Sequence, residues 1–497
     1  MNSSIIRIVL GNVLKIEGIL MLIPALIGVC LREDAAFAFL VSALLAIVIG
    51  QLMVIKKPKT TVFYLKEGCI STALSWIFLS IFGALPFTIS GEIPNYVNAL
   101  FETVSGFTTT GASILSDVES LSKSVLFWRS FTHWIGGMGV LVFLLAILPM
   151  TGGSNINLMK AESPGPQVGK LVPKIGRSAR ILYGIYIGLT IVEIILLVAS
   201  GMPFFDSICT SMGTAGTGGF GIKNTSIGGY NATIQWIVTV FMILFGVNFN
   251  AYYYILYRHF KQVFGMEEIK VYLGIIVVSI AAIAINIANM FDTVEQAVRA
   301  SGFAVASIIT TTGFSTVDFD QWPVFSKNIL VLLMFIGACA GSTGGGIKVS
   351  RIVIATKTIV KEFHSYIHPK SVKAVRIEGK TVEHEVLRSV NVYIMTFIVV
   401  FVASVIIVSF ENKDLVTTFT SVAATINNIG PGLAGVGPTC NFGSFTVLSK
   451  FVFIFDMLAG RLELFPILLL FHPSIWRNLF TSRINPRKNK WDECTKQ

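Results

Sequence analysis

The sequence predicts an all-α polytopic membrane protein: four pseudo-repeated helix–re-entrant loop–helix units around a central pore, plus two extra N-terminal transmembrane helices. Three observations predict it. The 497 residues are 53% hydrophobic and 13% charged, about half the charged share of a soluble domain. Apolar runs recur at close to the ~20 residues that a helix needs to cross a bilayer. Four glycines sit at the tips of short polar hairpins: Gly111 in Thr108-Thr109-Thr110-Gly111, Gly216 in Gly213-Thr214-Ala215-Gly216, Gly313 in Thr310-Thr311-Thr312-Gly313 and Gly430 in Asn427-Asn428-Ile429-Gly430. Their spacing of roughly 100 residues is too long for a solenoid. It suits four copies of a membrane unit.

The elements follow in order. An N-terminal unit, 1–60, holds two spans near 8–30 and 36–55, joined by Arg32, Glu33 and Asp34 and lacking a glycine hairpin. The first run has no convincing small-residue cleavage site, so it reads as a retained span. Repeat one, 61–150, has spans near 69–89 and 123–148 with a short segment, 96–107, between them. Repeat two, 151–262, has spans near 181–200 and 233–257 around Pro203–Met212. Repeat three, 263–365, has spans near 271–290 and 326–357 around Val294–Ile309, and an intramembrane glycine loop at 338–347. Repeat four and the tail, 366–497, have spans near 389–409 and 445–471 around Leu415–Ile426. The intervening segments are too short to cross a bilayer and suit re-entrant helices. Irregular backbone at membrane depth must line a cavity or be buried in protein, so four polar hairpins call for a shared axis. The competing reading makes them ordinary outer loops.

The formal net charge is +11, but the basic residues fall in alternate loops rather than on a face for nucleic acid. One group is Lys56, Lys57, Lys59 and Lys66; the next is Lys160, Lys170, Lys174, Arg177 and Arg180; then come Arg258, Lys261 and Lys270. The largest runs from Lys348 to Arg388, and the tail adds Arg477, Arg483, Arg487, Lys488, Lys490 and Lys496. The positive-inside rule puts these loops and the C-terminus in the cytoplasm and the hairpins outside. The six cysteines form no Cys-x-x-Cys pair, which indicates neither a zinc site nor a disulfide framework. No nucleophile with a base and no metal cluster stands out, so an enzyme ranks last.

A dehydrated monovalent cation needs a cage of oxygens, which rings of carbonyls supply. Glycine permits the backbone angles that turn successive carbonyls inward. Threonine hydroxyls add oxygens or brace the loop. A short helix ending at each hairpin presents its partially negative end. No carboxylate adjoins the four glycines, which favours a monovalent over a divalent ion. Glu102, before the first hairpin, is placed at the mouth as a cation concentrator or as a merely solvated rim charge.

Phe127-Trp128-Arg129-Ser130, His133-Trp134-Ile135-Gly136-Gly137-Met138-Gly139, Thr310-Thr311-Thr312-Gly313-Phe314-Ser315-Thr316 and Asn427-Asn428-Ile429-Gly430-Pro431-Gly432 resemble the return helix and hairpins of the Trk/Ktr/HKT superfamily of potassium transporters. The extra N-terminal spans favour its TrkH branch. The resemblance covers essentially the whole chain. It implies ion-facing positions at Thr109, Thr110 and Gly111; Thr214, Ala215 and Gly216; Thr311, Thr312 and Gly313; and Asn428, Ile429 and Gly430. It implies K⁺ as the ion carried, with no organic cofactor in this chain. It further implies a homodimer in the bacterial inner membrane, served by a cytosolic, nucleotide-binding TrkA-type regulatory subunit. The four stretches differ from each other and from Thr-Val-Gly-Tyr-Gly. The expected cage is therefore short, passes Rb⁺ and discriminates modestly against Na⁺. A secondary carrier coupling K⁺ to H⁺ or Na⁺ (a symporter), or a Na⁺-preferring member of the superfamily, is the alternative to a channel.

Two gates are expected. Gly341-Ser342-Thr343-Gly344-Gly345-Gly346 interrupts the second span of repeat three, at a cost of about 1 kcal/mol per glycine in a helix. The stretch is either a packing kink or a cavity-lining loop, and the resemblance implies a loop that obstructs the pore below the filter. Arg461 lies inside the last span, where a charge costs roughly 2.5–3.5 kcal/mol. It either pairs with Asp456 or Glu463 or turns its cation to the pore, and the resemblance implies the pore.

Overall fold

The computed structural model describes residues 3–56, 64–137, 139, 175–371 and 373–473. The expected end of the first return span at Leu148, with Met138, Lys57, Lys59, Lys160, Lys170, Lys174 and the basic residues of the tail, lies outside the described residues.

Helices account for most of the described backbone; a two-stranded hairpin pairs Arg376–Ile377 with Lys380–Thr381. Among the described residues, six helical segments are long and apolar enough to cross a membrane: Ser3–Leu31, Ala35–Val54, Leu65–Ile89, Arg180–Ala199, Glu267–Met290 and His384–Glu411. Their outward faces carry large apolar side chains such as Leu26, Phe37, Leu44, Val278 and Ile285, all exposed, as a lipid-facing surface requires. The chain is thus a multi-pass membrane protein. The extra N-terminal pair packs closely through small residues. A Cβ on Gly11 would lie 2.7 Å from the Gly50 carbonyl, so glycine there lets two helix backbones meet.

Four shorter helices stand between the spans: Tyr96–Phe107, Phe204–Gly216, Val294–Ile309 and Leu415–Ile426. Three of them open on side-chain caps. Asn95 accepts from Val97 N at 2.9 Å, Thr293 from Gln296 N at 3.2 Å and Asp414 from Thr417 N at 2.9 Å. Such caps satisfy amide groups that the first helical turn leaves unpaired. Three of the four bounds are those the sequence predicts. The second helix runs on past Met212 to Gly216, because Gly213 and Gly216 serve packing rather than turning. A Cβ on Gly213 would lie 2.8 Å from the Phe314 ring, and one on Gly216 would overlap the His133 carbonyl.

The return helices are not the continuous spans expected. The first described segment, Lys123–Gly137, stops at a glycine pair, and Gly139 has φ +74°. The second, Ala232–Phe245, turns by 92° into Phe249–Leu256. The third, Val324–Ile336, gives way to a loop and resumes as Val349–Ile367. The fourth, Val447–Arg461, breaks at Glu463 and Leu464, both at positive φ, before Phe465–Leu469. Only the third break was legible as a glycine run.

Candidate functional site

Each short helix ends in the same turn. Its first residue takes the left-handed conformation: Thr109 at φ 55°, Thr217 at 54°, Thr311 at 58° and Asn428 at 55°. The next amide reaches back five residues. Thr110 N donates to Ser105 O, Gly218 N to Gly213 O, Thr312 N to Ser307 O and Ile429 N to Ala424 O, all at 2.8 or 2.9 Å. This bond closes a helix end. A glycine at positive φ follows in every copy: Gly111 (79°), Gly219 (71°), Gly313 (83°) and Gly430 (100°). Left-handed non-glycine residues are strained by about 1–3 kcal/mol and cluster at functional sites; here the strain recurs four times at one structural position.

In the second repeat the turn is Thr217-Gly218-Gly219. Thr214, Ala215 and Gly216 lie in the last turn of the preceding helix, three residues short of it. Both triplets read Thr-x-Gly. The signal that separates them is the residue after the glycine: Gly219-Phe220 matches Gly313-Phe314.

The four turns close on one another. A Cβ on Gly111 would run into the Gly218 carbonyl, one on Gly219 into that of Thr312, and one on Gly313 into that of Ile429. On Gly430 it would lie 2.8 Å from the Thr110 carbonyl. The order is first to second, second to third, third to fourth and fourth to first, a complete ring. Each glycine is therefore doubly required, by its φ and by the neighbouring backbone. Among the described residues, the twelve carbonyls of Thr109–Gly111, Thr217–Gly219, Thr311–Gly313 and Asn428–Gly430 accept no hydrogen bond, although most of these residues are buried. Buried carbonyls require a partner. A ring of carbonyls is an arrangement able to replace a cation's water shell. Gly111, Gly219, Gly313 and Gly430 also line one cavity of about 240 Å³.

Side chains brace the ring from behind. Thr108 and Thr110 share a hydroxyl–hydroxyl bond of 2.8 Å, and so do Thr310 and Thr312. Asn428 stands where the other repeats have threonine. Its Nδ2 donates to Thr110 Oγ1 and Met457 O, both at 2.9 Å, tying the fourth turn to the first. His133 bridges two repeats: its Nδ1 lies 2.8 Å from Gly106 O, and its Nε2 accepts from Phe220 N at 3.3 Å. Glu102 is not at the mouth. It is fully buried and paired at 2.8 Å with Arg129, and accepts from Ser113 Oγ at 2.9 Å and Ile114 N at 3.0 Å. It anchors the chain leaving the first turn.

The glycine loop and Arg461, which do not line that cavity, also contact the turns. Gly345 N donates to Thr311 Oγ1 at 2.6 Å, and a Cβ on Gly344 would lie 2.9 Å from Thr310 O. Arg461 donates to Thr109 Oγ1 at 3.2 Å, Thr343 O at 2.8 Å, Gly137 O at 3.0 Å and Gly136 O. It thus joins the first turn, the glycine loop and the end of the first return helix. The two carboxylates considered for it go elsewhere: Asp456 accepts from Ser404 at 2.7 Å, and Glu463 pairs with Arg351.

The architecture and sequence have close counterparts. A family profile named TrkH, described as a cation transport protein, matches residues 35–478. The Trk system potassium uptake protein TrkH of Salmonella typhimurium is 35% identical over 465 residues, 92% of this chain and 96% of its own. Its namesake from Vibrio parahaemolyticus serotype O3:K6 is 34% identical over 489 residues, 96% of this chain and 99% of its own. The crystal structure of the potassium transporter TrkH from Vibrio parahaemolyticus superposes with a TM-score of 0.85 at 32% identity, covering 95% of this chain and 99% of that one.

Proposed function

The chain belongs to the TrkH family of cation transport proteins, transporters and not enzymes, and we propose that it conducts K⁺ inward through the ring of four turns. The observation that carries this reading is the closed circle of turns whose carbonyls have no protein partner. K⁺ exchanges part of its water shell for these oxygens, and selectivity follows from their number and field strength. The ion-facing set is Thr109–Gly111, Thr217–Gly219, Thr311–Gly313 and Asn428–Gly430. Each repeat offers only one short turn, so Rb⁺ passes and Na⁺ is rejected modestly.

The glycine loop and Arg461 close the path below. The loop fills the axis beneath the third and fourth turns. The guanidinium adds a fixed positive charge where a cation would leave the ring, and charges at membrane depth usually face such pathways. The chain works as a homodimer in the bacterial inner membrane, with its basic loops and tail in the cytoplasm. There the basic segment between Lys357 and Arg388 meets a nucleotide-binding regulatory subunit of the TrkA type. The relatives' naming as components of a potassium uptake system supports this division of labour.

The test is growth of a potassium-uptake-deficient bacterium at limiting K⁺, with and without a regulatory subunit. Rescue is expected with the subunit present. Rescue of Na⁺ supply alone would move the chain to the Na⁺-carrying branch. Strictly coupled, saturable flux without single-channel steps would make it a carrier.

A further inference from the structure

The loop beneath the ring is held at two levels. Its tip is tied to pore groups: Thr343 O to Arg461, Gly345 N to Thr311 Oγ1 and Thr343 Oγ1 to Phe245 O. Its stem is closed by Val349 N donating to Ala338 O at 3.1 Å. The Glu268 side chain reaches across that stem. Glu268, in the first turn of the helix Glu267–Ile287, accepts from Ala340 N at 2.6 Å on the way into the loop. The same Oε1 accepts from Ser350 N at 3.1 Å on the way out. Its other oxygen lies 3.5 Å from Asn248 Nδ2, at the break in the second return helix. That break is itself stitched to the loop, with Cys339 N donating to Gly246 O at 3.1 Å and Phe249 N to Gly341 O at 3.0 Å.

We propose that the Glu268 carboxylate is a positioning residue that latches the obstructing loop, clamping both strands of its stem to the bend of the second return helix. The inference rests on the reading of the loop as an obstruction. The physical argument is one of number and place. An ionised acceptor bonding backbone amides makes stronger bonds than a neutral one. Here one carboxylate restrains entry and exit of a segment whose four glycines, at 341, 344, 345 and 346, supply little rigidity of their own. Glu268 also lies outside the ring. Its loss therefore frees the loop while leaving the ion-binding carbonyls in place. That separates a latch from a general structural support, whose loss would blur selectivity as well.

The experiment uses the full chain in proteoliposomes and compares Rb⁺ flux for the wild type, Glu268→Gln, Glu268→Asp, a chain lacking Gly344 and Gly345, and the shortened chain carrying Glu268→Gln. In parallel, maleimide labelling of the native Cys339, fully buried beside the stem, is followed by peptide mass spectrometry. The expected result is a rise in basal Rb⁺ flux of about tenfold in Glu268→Gln, matching the loss of a charge-assisted bond. Cys339 is labelled faster, the Rb⁺-to-Na⁺ flux ratio is unchanged, and nothing further is gained in the shortened chain. Glu268→Asp, too short to reach the two amides, moves flux and labelling the same way. If the shortened chain leaks while both Glu268 variants keep wild-type flux and labelling, the latch is wrong and the obstruction stands. If the shortened chain conducts like the wild type, the obstruction reading fails and takes the latch with it. A Glu268 variant that leaks but loses Rb⁺ preference makes the residue a support of the ring and overturns the proposal.

Discussion

The four turns and the four helix breaks beneath them are products of the same repeat, yet they behave oppositely. The turns agree within a few degrees at the left-handed residue and share one backbone bond each. The breaks agree only in occurring. The first return segment stops at Gly137, the second bends by 92°, the third opens into a loop and the fourth carries Arg461 at its end. Mutual contact explains the contrast. Every turn abuts the next, so a change in one must be accommodated by all four. The breaks also touch, but through pairings that differ from one to the next, Gly246 O and Phe249 N with the loop and Arg461 with Thr343 O, Gly136 O and Gly137 O, and two of them supply the parts expected to gate.

The comparison would break most visibly at a ring glycine. Gly219→Ala places a Cβ against the Thr312 carbonyl, and the left-handed backbone alone costs about 1–2 kcal/mol. Rb⁺ uptake should fall more than about tenfold, whereas Gly188→Ala, with nothing within 4 Å, should match the wild type. A tolerated Gly219→Ala alongside an inactive Gly216→Ala would return the second turn to the earlier triplet.

Below the ring, the sign should reverse. Arg461→Ala removes a cation that holds the loop and the first turn, so flux should rise by roughly tenfold, equivalent to about 1.4 kcal/mol off the barrier. Lost flux with poor expression would instead make the arginine structural. The smallest effect is expected where the ring departs from its own symmetry. Asn428→Ala forfeits two bonds worth about 0.5–1.5 kcal/mol each. It should lower the melting temperature and shift the Rb⁺-to-Na⁺ ratio about two- to threefold, without abolishing flux.

The same contrast explains what could be read in advance. Hydropathy located the spans, and segment length together with the glycine hairpins located the short helices, because both are local. Three of the four turns were legible from a polar-x-Gly tip. The second was misplaced because Gly213 and Gly216 imitate a turn while serving contacts with Phe314 and His133, residues far away in sequence. Breaks at Gly246 and at Glu463–Leu464 fall inside stretches whose overall hydropathy reads as one span each, despite Asn248 and Asn250 in the first and Arg461, Glu463 and Pro466 in the second. Glu102 looked like a mouth carboxylate because its partner, Arg129, arrives from another helix. Long-range pairing of this kind leaves no local trace.

A circle whose last joint is made by Gly430 against Thr110 also imposes an order on biogenesis. A nascent chain inserted as far as its third repeat holds an open arc, with bare carbonyls facing whatever fills the gap. Translation must pass residue 430 before that arc is sealed, so premature termination yields an unsealed fragment and not a smaller transporter.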